Sequence, residues 1–273
     1  MPELPEITVI ARQMNQEISG KLVKSVRVKQ PKNLNMPVGQ FTKNIIGKTV
    51  KNVTCKGKWL FLNLNCDRSL LINLGMGAEL LHFEPKQGLP ENTQFKLTFS
   101  DKSGFTVHFW WFGCIHLVQK DNLTKHKLTA NLGISPVDKD FTFDHFKKLL
   151  AKKKGTLKSF VLDQKNLAGI GNVYAQDILF KAKLHPNRKI PSLSEREKSA
   201  LFKAIHEILN SSIKLGGAYF ELNFYGKRGG FTSDRFLIGY KTGKPCPECG
   251  TTIEKIRTGN TASYICPNCQ KEK

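Results

Sequence analysis

The chain has 273 residues, of which 43 are Lys or Arg and 22 are Asp or Glu, giving a formal net charge of +21. That length suffices for one large domain or two smaller ones with hydrophobic cores. Hydrophobic residues make up 40% of the chain. No run approaches the ~20 apolar residues needed to span a bilayer, and the N-terminus lacks the basic-then-apolar layout of a signal peptide. The expectation is a cytoplasmic protein with no membrane segment. Its charge favours a polyanionic partner, because each neutralised phosphate releases condensed counterions. Nucleic acid is the first reading; a ribosomal-type basic protein and an anionic membrane surface are alternatives. No long basic amphipathic helix supports the membrane.

Pro2–Ser19 reads as a short loop and a helix. Pro5 suits the first turn, Ile7, Ile10, Met14 and Ile18 keep helical spacing, and Gly20 marks the stop. From Lys21 to about Leu117 short β-rich runs take over. Strands are predicted at 22–28, 50–54, 59–63, 70–73, 78–83, 94–99 and 105–109, with turns such as Pro37–Gln40 and Ser100–Gly104 between them. This spacing predicts an antiparallel sandwich or barrel-like domain.

Helical signals dominate after about residue 140. Helices are predicted over 143–152, 156–162 and 173–182, with the longest starting at Ser194, where Ser194 and Glu197 form a capping box. Leu201, Ala204, Ile205, Ile208 and Leu209 supply its apolar face, and Gly216-Gly217 ends it. Residues 216–233 contain five glycines and read as a mobile loop. The fold class is therefore α+β. The expected divisions are an N-terminal helix plus sandwich (1–130), a helical region (131–235) and a small terminal module (236–273).

That module holds four of the seven cysteines, as Cys246-Pro-Glu-Cys249 and Cys266-Pro-Asn-Cys269 with sixteen residues between the pairs. Two thiolates at each end of a hairpin close a tetrahedron around Zn²⁺. Four thiolates leave no open position, so one structural zinc per chain is expected. Cys55, Cys66 and Cys114 sit in strand-like surroundings and read as small buried hydrophobes.

The opening Met1-Pro2-Glu3-Leu4-Pro5-Glu6 closely resembles the formamidopyrimidine-DNA glycosylase family. Further islands follow in the family's order: Gly57-Lys58, Leu74-Gly75-Met76-Gly77, Phe112-Gly113, Leu162-Asp163-Gln164, Ala168–Ala175, His185-Pro186 and the four-cysteine ribbon ending Cys269-Gln270. They span nearly the whole chain. Leu4 favours this branch over the endonuclease VIII branch, which usually has Gly there. The resemblance implies an N-terminal β-sandwich, a helix–two-turns–helix region and a zinc finger, with DNA held between lobes and a monomeric protein. It implies excision of a damaged base from double-stranded DNA, then strand cleavage at the abasic site.

On the same basis Pro2 is the nucleophile once Met1 is removed, which the small Pro2 side chain permits. An α-amine is less basic than a lysine, so more of it is free base at neutral pH. Glu3 is placed to exchange protons with the opening sugar, and Glu6 to position the amine. Lys58 contacts phosphate beside the lesion and aids base departure. Met76 and Phe112 correspond to residues that wedge into the vacated base stack. Asn172, at a helix start, joins backbone N–H groups on a phosphate, or simply caps the helix. Lys153, Lys154, Lys158 and Lys165 could add phosphate contacts.

Two recognition positions depart from the family. His108-Phe109-Trp110-Trp111 replaces the usual Asp-Pro-Arg-Arg, so Trp111 stands where an arginine reads the orphaned base. A tryptophan stacks but cannot make that two-pronged hydrogen bond, unless Trp110 and Trp111 instead pack into the sandwich. In the finger Thr261, beside Asn260, takes the place of a DNA-contacting arginine, for which Arg257 or Lys255 could compensate. Gln176-Asp177 also replaces a commoner small-or-acidic pair. The first reading is a glycosylase with abasic-site lyase activity on oxidised purines. An endonuclease VIII-like specificity and a noncatalytic damaged-DNA binder are the alternatives.

Overall fold

In the computed structural model, which describes residues 1–88, 90 and 92–272, the first helix forms where its apolar periodicity places it. α1 (Leu4–Ile18) buries Ile7, Ile10, Met14 and Ile18 on one face. Its polar residues fasten it to a strand: Asn15 Oδ1 accepts the Val53 N–H at 2.8 Å, and Thr8 Oγ1 lies 4.0 Å from Cys55 Sγ.

Eight strands follow, with a single 3-10 turn (Pro31–Asn33) and one short α-helix between the first two. They are β1 (Val23–Val28), then α2 (Val38–Ile45), then β2 (Val50–Lys56), β3 (Trp59–Leu64), β4 (Arg68–Asn73), β5 (Glu79–Phe83), β6 (Phe95–Phe99), β7 (Gly104–His108) and β8 (Cys114–Gln119). They form two antiparallel four-stranded sheets, ordered β1-β6-β7-β5 and β2-β3-β4-β8. Their inward residues share one core with α1, including Leu60, Leu62, Leu70, Ile72, Leu97, Phe105 and Ile115. The sandwich is thus as expected from the alternating pattern.

Two elements differ from expectation. Pro37–Gln40 is no free turn: Pro37 opens α2, whose Phe41 and Ile45, one turn apart, are fully buried. Eight residues offer too little periodicity to be read unaided. β8 was not among the predicted strands because Cys114 and His116 break up its apolar run, yet it pairs with β4 from Arg68↔Gln119 to Asn73↔Cys114. Cys55, Cys66 and Cys114 are half-buried, and burial pushes the Cys114 thiol up to about 11.

The chain divides into two compact units, residues 1–131 with 215–230, and residues 132–214 with 231–273. Residues 216–230, which hold all five glycines of the stretch, thus belong to the first unit. Phe224 is fully buried in the sandwich core, its carbonyl accepts the His82 N–H at 2.8 Å, and its own N–H reaches Gln13 Oε1 at 3.0 Å.

The second unit contains α3 (Phe143–Ala151), α4 (Leu157–Leu162), α5 (Asn172–Lys181), α6 (Glu195–Lys214) and the hairpin β9 (Glu254–Thr258)–β10 (Thr261–Ile265). The Ser194–Glu197 capping box is present: Glu197 Oε2 accepts the Ser194 N–H at 2.8 Å, and Ser194 Oγ accepts the Glu197 N–H at 3.3 Å. Asp177 on α5 is fully buried and accepts from the N–H groups of Leu237, Ile238 and Gly239, which fixes the chain leading into the finger.

Lys158 is a correction. It is buried rather than turned to solvent, and its ammonium donates to Thr258 Oγ1, the Ala262 carbonyl and Ser263 Oγ at 2.7–2.8 Å. It ties α4 to the β9–β10 hairpin and is not available to a phosphate. Burial without a carboxylate partner lowers its pKa from 10.5 to about 8. A depressed lysine pKa means the unfolded chain holds more protons between the two values. Stability from this group should therefore rise as pH increases from about 8 to 10.5. Chemical denaturation of wild type and Lys158→Met over that range should show this slope in the wild type and its loss in the variant.

Candidate active site and DNA-facing surfaces

The N-terminal segment is buried from Pro2 to Ile10, with Glu3 and Glu6 only 3% and 4% exposed. Glu3 is the N-cap of α1 in an extended conformation, and the two acids form a reciprocal capping box. Glu6 Oε2 accepts the Glu3 N–H at 2.8 Å, and its Oε1 accepts the Ala218 N–H at 2.9 Å. Two acids at the start of one helix thereby fix the direction in which the terminus leaves it. The Ala218 bond needs close approach of the backbone. A Cβ on Gly217 would lie 3.0 Å from Glu6 Cγ and Oε1, and its φ of +91° favours glycine as well.

A third acid, unnoticed in the sequence, completes this centre. Glu221 Oε1 lies 3.3 Å from the Met1 ammonium, and its side chain is 12% exposed. Burial raises its carboxyl pKa, as does the neighbouring Glu6 charge, while the terminus opposes them. No local pattern marks Glu221, since its partner is at the other end of the chain.

Lys58 sits in the two-residue turn between β2 and β3. Gly57, with φ +57°, occupies the first central position, as a tight hairpin requires. Asn73 Nδ2 donates to the Lys58 carbonyl at 3.1 Å while Asn73 Oδ1 accepts the Gly75 N–H, so one side chain steadies two loops. The pairings of Asn15 with Val53 and Thr8 with Cys55 run α1 along β2 so that the start of the helix points toward this turn.

Met76 and Trp111 form a two-way β-bridge, with N···O distances of 2.9 and 3.2 Å. A Cβ at Gly75 would lie 2.0 Å from the Trp111 carbonyl oxygen, so only glycine admits the bridge. The side chains it presents are exposed: Met76 47%, Trp110 65%, Trp111 61% and Phe112 80%. Packing of the tryptophans into the sandwich is thereby ruled out. Trp110 stacks on His108 at 5.9 Å, and Trp111 meets Phe112 edge-on at 6.0 Å.

In the second unit Asn172 is the first residue of α5, and the cap itself is Gly171. Its Oδ1 accepts from Gln176 Nε2 at 3.0 Å. Gln164 braces the loop before it, donating to the Leu162 and Ile170 carbonyls and accepting the Gly169 N–H. Thr261, Arg257 and Lys255 are exposed on the finger hairpin, as are Lys154 and Lys165 elsewhere in the unit, while Lys153 is half-buried.

The sulfurs of Cys246, Cys249, Cys266 and Cys269 lie within 4.8 Å of one another. Cys249 is 3.5 Å from both Cys266 and Cys269, and Cys246 is 3.9 Å from Cys269. A tetrahedron with Zn–S bonds of about 2.3 Å has edges of about 3.8 Å, so the four thiolates fit one zinc ion. Gln270 locks the module by accepting the Cys266 N–H and donating to the Leu184 carbonyl. Cys246 and Cys266 share a small core with Phe180, Ile238 and Ile253.

A buried Pro2–Glu6 segment on a β-sandwich, a helical unit and a four-thiolate finger define the class, and three family models match it. Residues 1–111 match the formamidopyrimidine-DNA glycosylase N-terminal domain, 132–223 its H2TH domain, and 243–271 the zinc finger found in FPG and IleRS. Formamidopyrimidine-DNA glycosylases from Desulforamulus reducens and Streptococcus mutans are each 34% identical, over the full length of both chains. The chain belongs to the formamidopyrimidine-DNA glycosylase family. Lactococcus lactis Fpg has the same fold in complexes with N7-benzyl-Fapy-dG DNA and with abasic-site DNA. Both give a TM-score of 0.90, at 28% and 27% identity, covering 99% of this chain and all of the other.

The zinc is structural in this arrangement. Metal analysis should find one zinc per chain, and Cys249→Ser should lose it and lower the melting temperature. Retention of full zinc and stability in that variant would contradict the four-thiolate site.

Proposed function

We propose that this chain is a bifunctional DNA glycosylase of base-excision repair, acting through the amine of Pro2. The carrying observation is the buried Pro2–Glu6 segment, in which Glu6 accepts the Glu3 and Ala218 N–H groups, together with Glu221 facing the chain terminus. Relatives named formamidopyrimidine-DNA glycosylase, and a relative's complexes with lesion and abasic-site DNA, support the reading.

After Met1 is removed, the Pro2 nitrogen attacks the sugar C1′ and displaces the damaged base. The C1′–O4′ bond then breaks, O4′ takes a proton and the nitrogen lone pair forms the iminium, which withdraws electrons, acidifies the C2′ proton and lets the 3′ phosphate leave by β-elimination; a second elimination follows. Glu3 exchanges protons with the opening sugar. Both oxygens of Glu6 already accept main-chain N–H groups, which supports a positioning role. Lys58 meets a phosphate beside the lesion, and Met76, Trp111 and Phe112 enter the base stack. Asn172 and the N–H groups at the start of α5 take another phosphate. The substrate is double-stranded DNA with oxidised purines or abasic sites. The protein acts as a monomer in the cytoplasm, associated with the nucleoid through DNA; among the described residues no helix is long and apolar enough to cross a membrane.

Borohydride in the presence of abasic-site DNA should trap a covalent complex with processed protein, and Pro2→Gly should abolish it. Absence of any trapped species from protein with a verified free Pro2 would instead favour a noncatalytic DNA binder. The exposed Trp111 supports weak reading of the opposite base. A bidentate arginine discriminates by about 1–3 kcal/mol, and a ring lacks that contact. Excision opposite cytosine, adenine, guanine and thymine should proceed at similar rates, and Trp111→Arg should raise cytosine preference. Strong cytosine preference in the wild type would overturn this reading.

A further inference from the structure

The centre contains three carboxylates with different occupations. Glu3 and Glu6 cap α1 and each other's backbone, and Glu6 also holds Ala218. Glu221 faces the terminal ammonium, 3.3 Å away, from a largely buried position. Its main chain is fixed, since its N–H donates to the Ala218 carbonyl and its carbonyl accepts the Gly229 N–H. Among the described residues, the charges acting on it are the chain terminus and, repulsively, Glu6 on α1. Arg228 on the same segment is turned to the Tyr219 carbonyl.

Loss of Met1 removes the cation that Glu221 pairs with and creates another close by. Standard bond lengths and angles put the Pro2 nitrogen within about 3.7 Å of the Met1 nitrogen. A largely buried carboxylate stripped of its counter-charge is destabilised. The new secondary ammonium is the cation at hand.

We propose that Glu221 holds the N-terminal amine of the processed chain and takes its proton during attack. The inference rests on Pro2 being the nucleophile. With an abasic-site aldehyde, the nitrogen lone pair forms the N–C1′ bond and the carbonyl π pair moves to oxygen. The amine proton passes to the Glu221 carboxylate. Protonated Glu221 returns that proton as the hydroxyl, already protonated once by solvent, leaves as water and the iminium forms. No oxidant or reductant is required.

A carboxylate beside an amine favours the ammonium, so it moves the appearance of free base to higher pH. In single-turnover borohydride trapping on abasic-site DNA, Glu221→Gln should move the rising limb of the pH profile about one unit lower. It should also lower the plateau rate by about 100-fold, the loss of a proton acceptor. Glu221→Asp should keep the wild-type limb. An unmoved limb in Glu221→Gln, whether or not the plateau falls, would overturn the assignment while leaving Pro2 as nucleophile. A wild type that traps nothing would overturn both. Should the glutamine variant fail to fold, reductive methylation of Pro2 in the wild type, followed by mass spectrometry, gives the amine's midpoint directly. A midpoint above that of a free prolyl peptide is expected, and one at or below it would overturn the proposal.

Discussion

The Glu6 carboxylate joins two stretches of chain that lie 212 residues apart. One oxygen accepts the N–H of Glu3 and the other the N–H of Ala218. With Glu6 only 4% exposed, losing either partner would leave a buried charge short of hydrogen bonds. The orientation of the chain terminus and the course of residues 215–230 are therefore set together. Gly217 lets the backbone come close enough, and Phe224 anchors the far side of that segment in the sandwich core.

Around this fixed point the first unit spends its rigidity on presentation. Gly57 and Gly75 shape the Lys58 turn and the Met76–Trp111 bridge, and Asn73 hydrogen-bonds to both loops. The exposed rings are thus carried on a constrained backbone, a suitable arrangement for side chains that stack on bases. In the second unit, Lys158, Asp177 and Gln270 perform the corresponding task with buried polar groups, each satisfied by main-chain or hydroxyl partners of the finger and its approach.

Elements with strong periodicity or chemistry of their own could be read from the sequence. α1, the sandwich strands with apolar alternation, the Ser194–Glu197 cap and the four-cysteine finger are of this kind. α2 was hidden because it is short, and β8 because Cys114 and His116 dilute its pattern. Lys158 follows a run of surface lysines and looks like one of them; its three hydroxyl and carbonyl partners lie at least 100 residues onward. Glu221 is a similar case, since only the folded chain brings it to the terminus. The clustering of Pro2, Glu3 and Glu6 was visible as a motif, but the division of labour among the acids emerges only from their hydrogen bonds.

Everything in the proposed chemistry depends on which nitrogen bonds to the sugar. Proteolysis of the borohydride-reduced protein–DNA complex, followed by mass spectrometry of the cross-linked peptide, would locate it. The account requires the deoxyribose remnant on the nitrogen of Pro2 in a peptide lacking Met1. A remnant on the Lys58 side chain would contradict it.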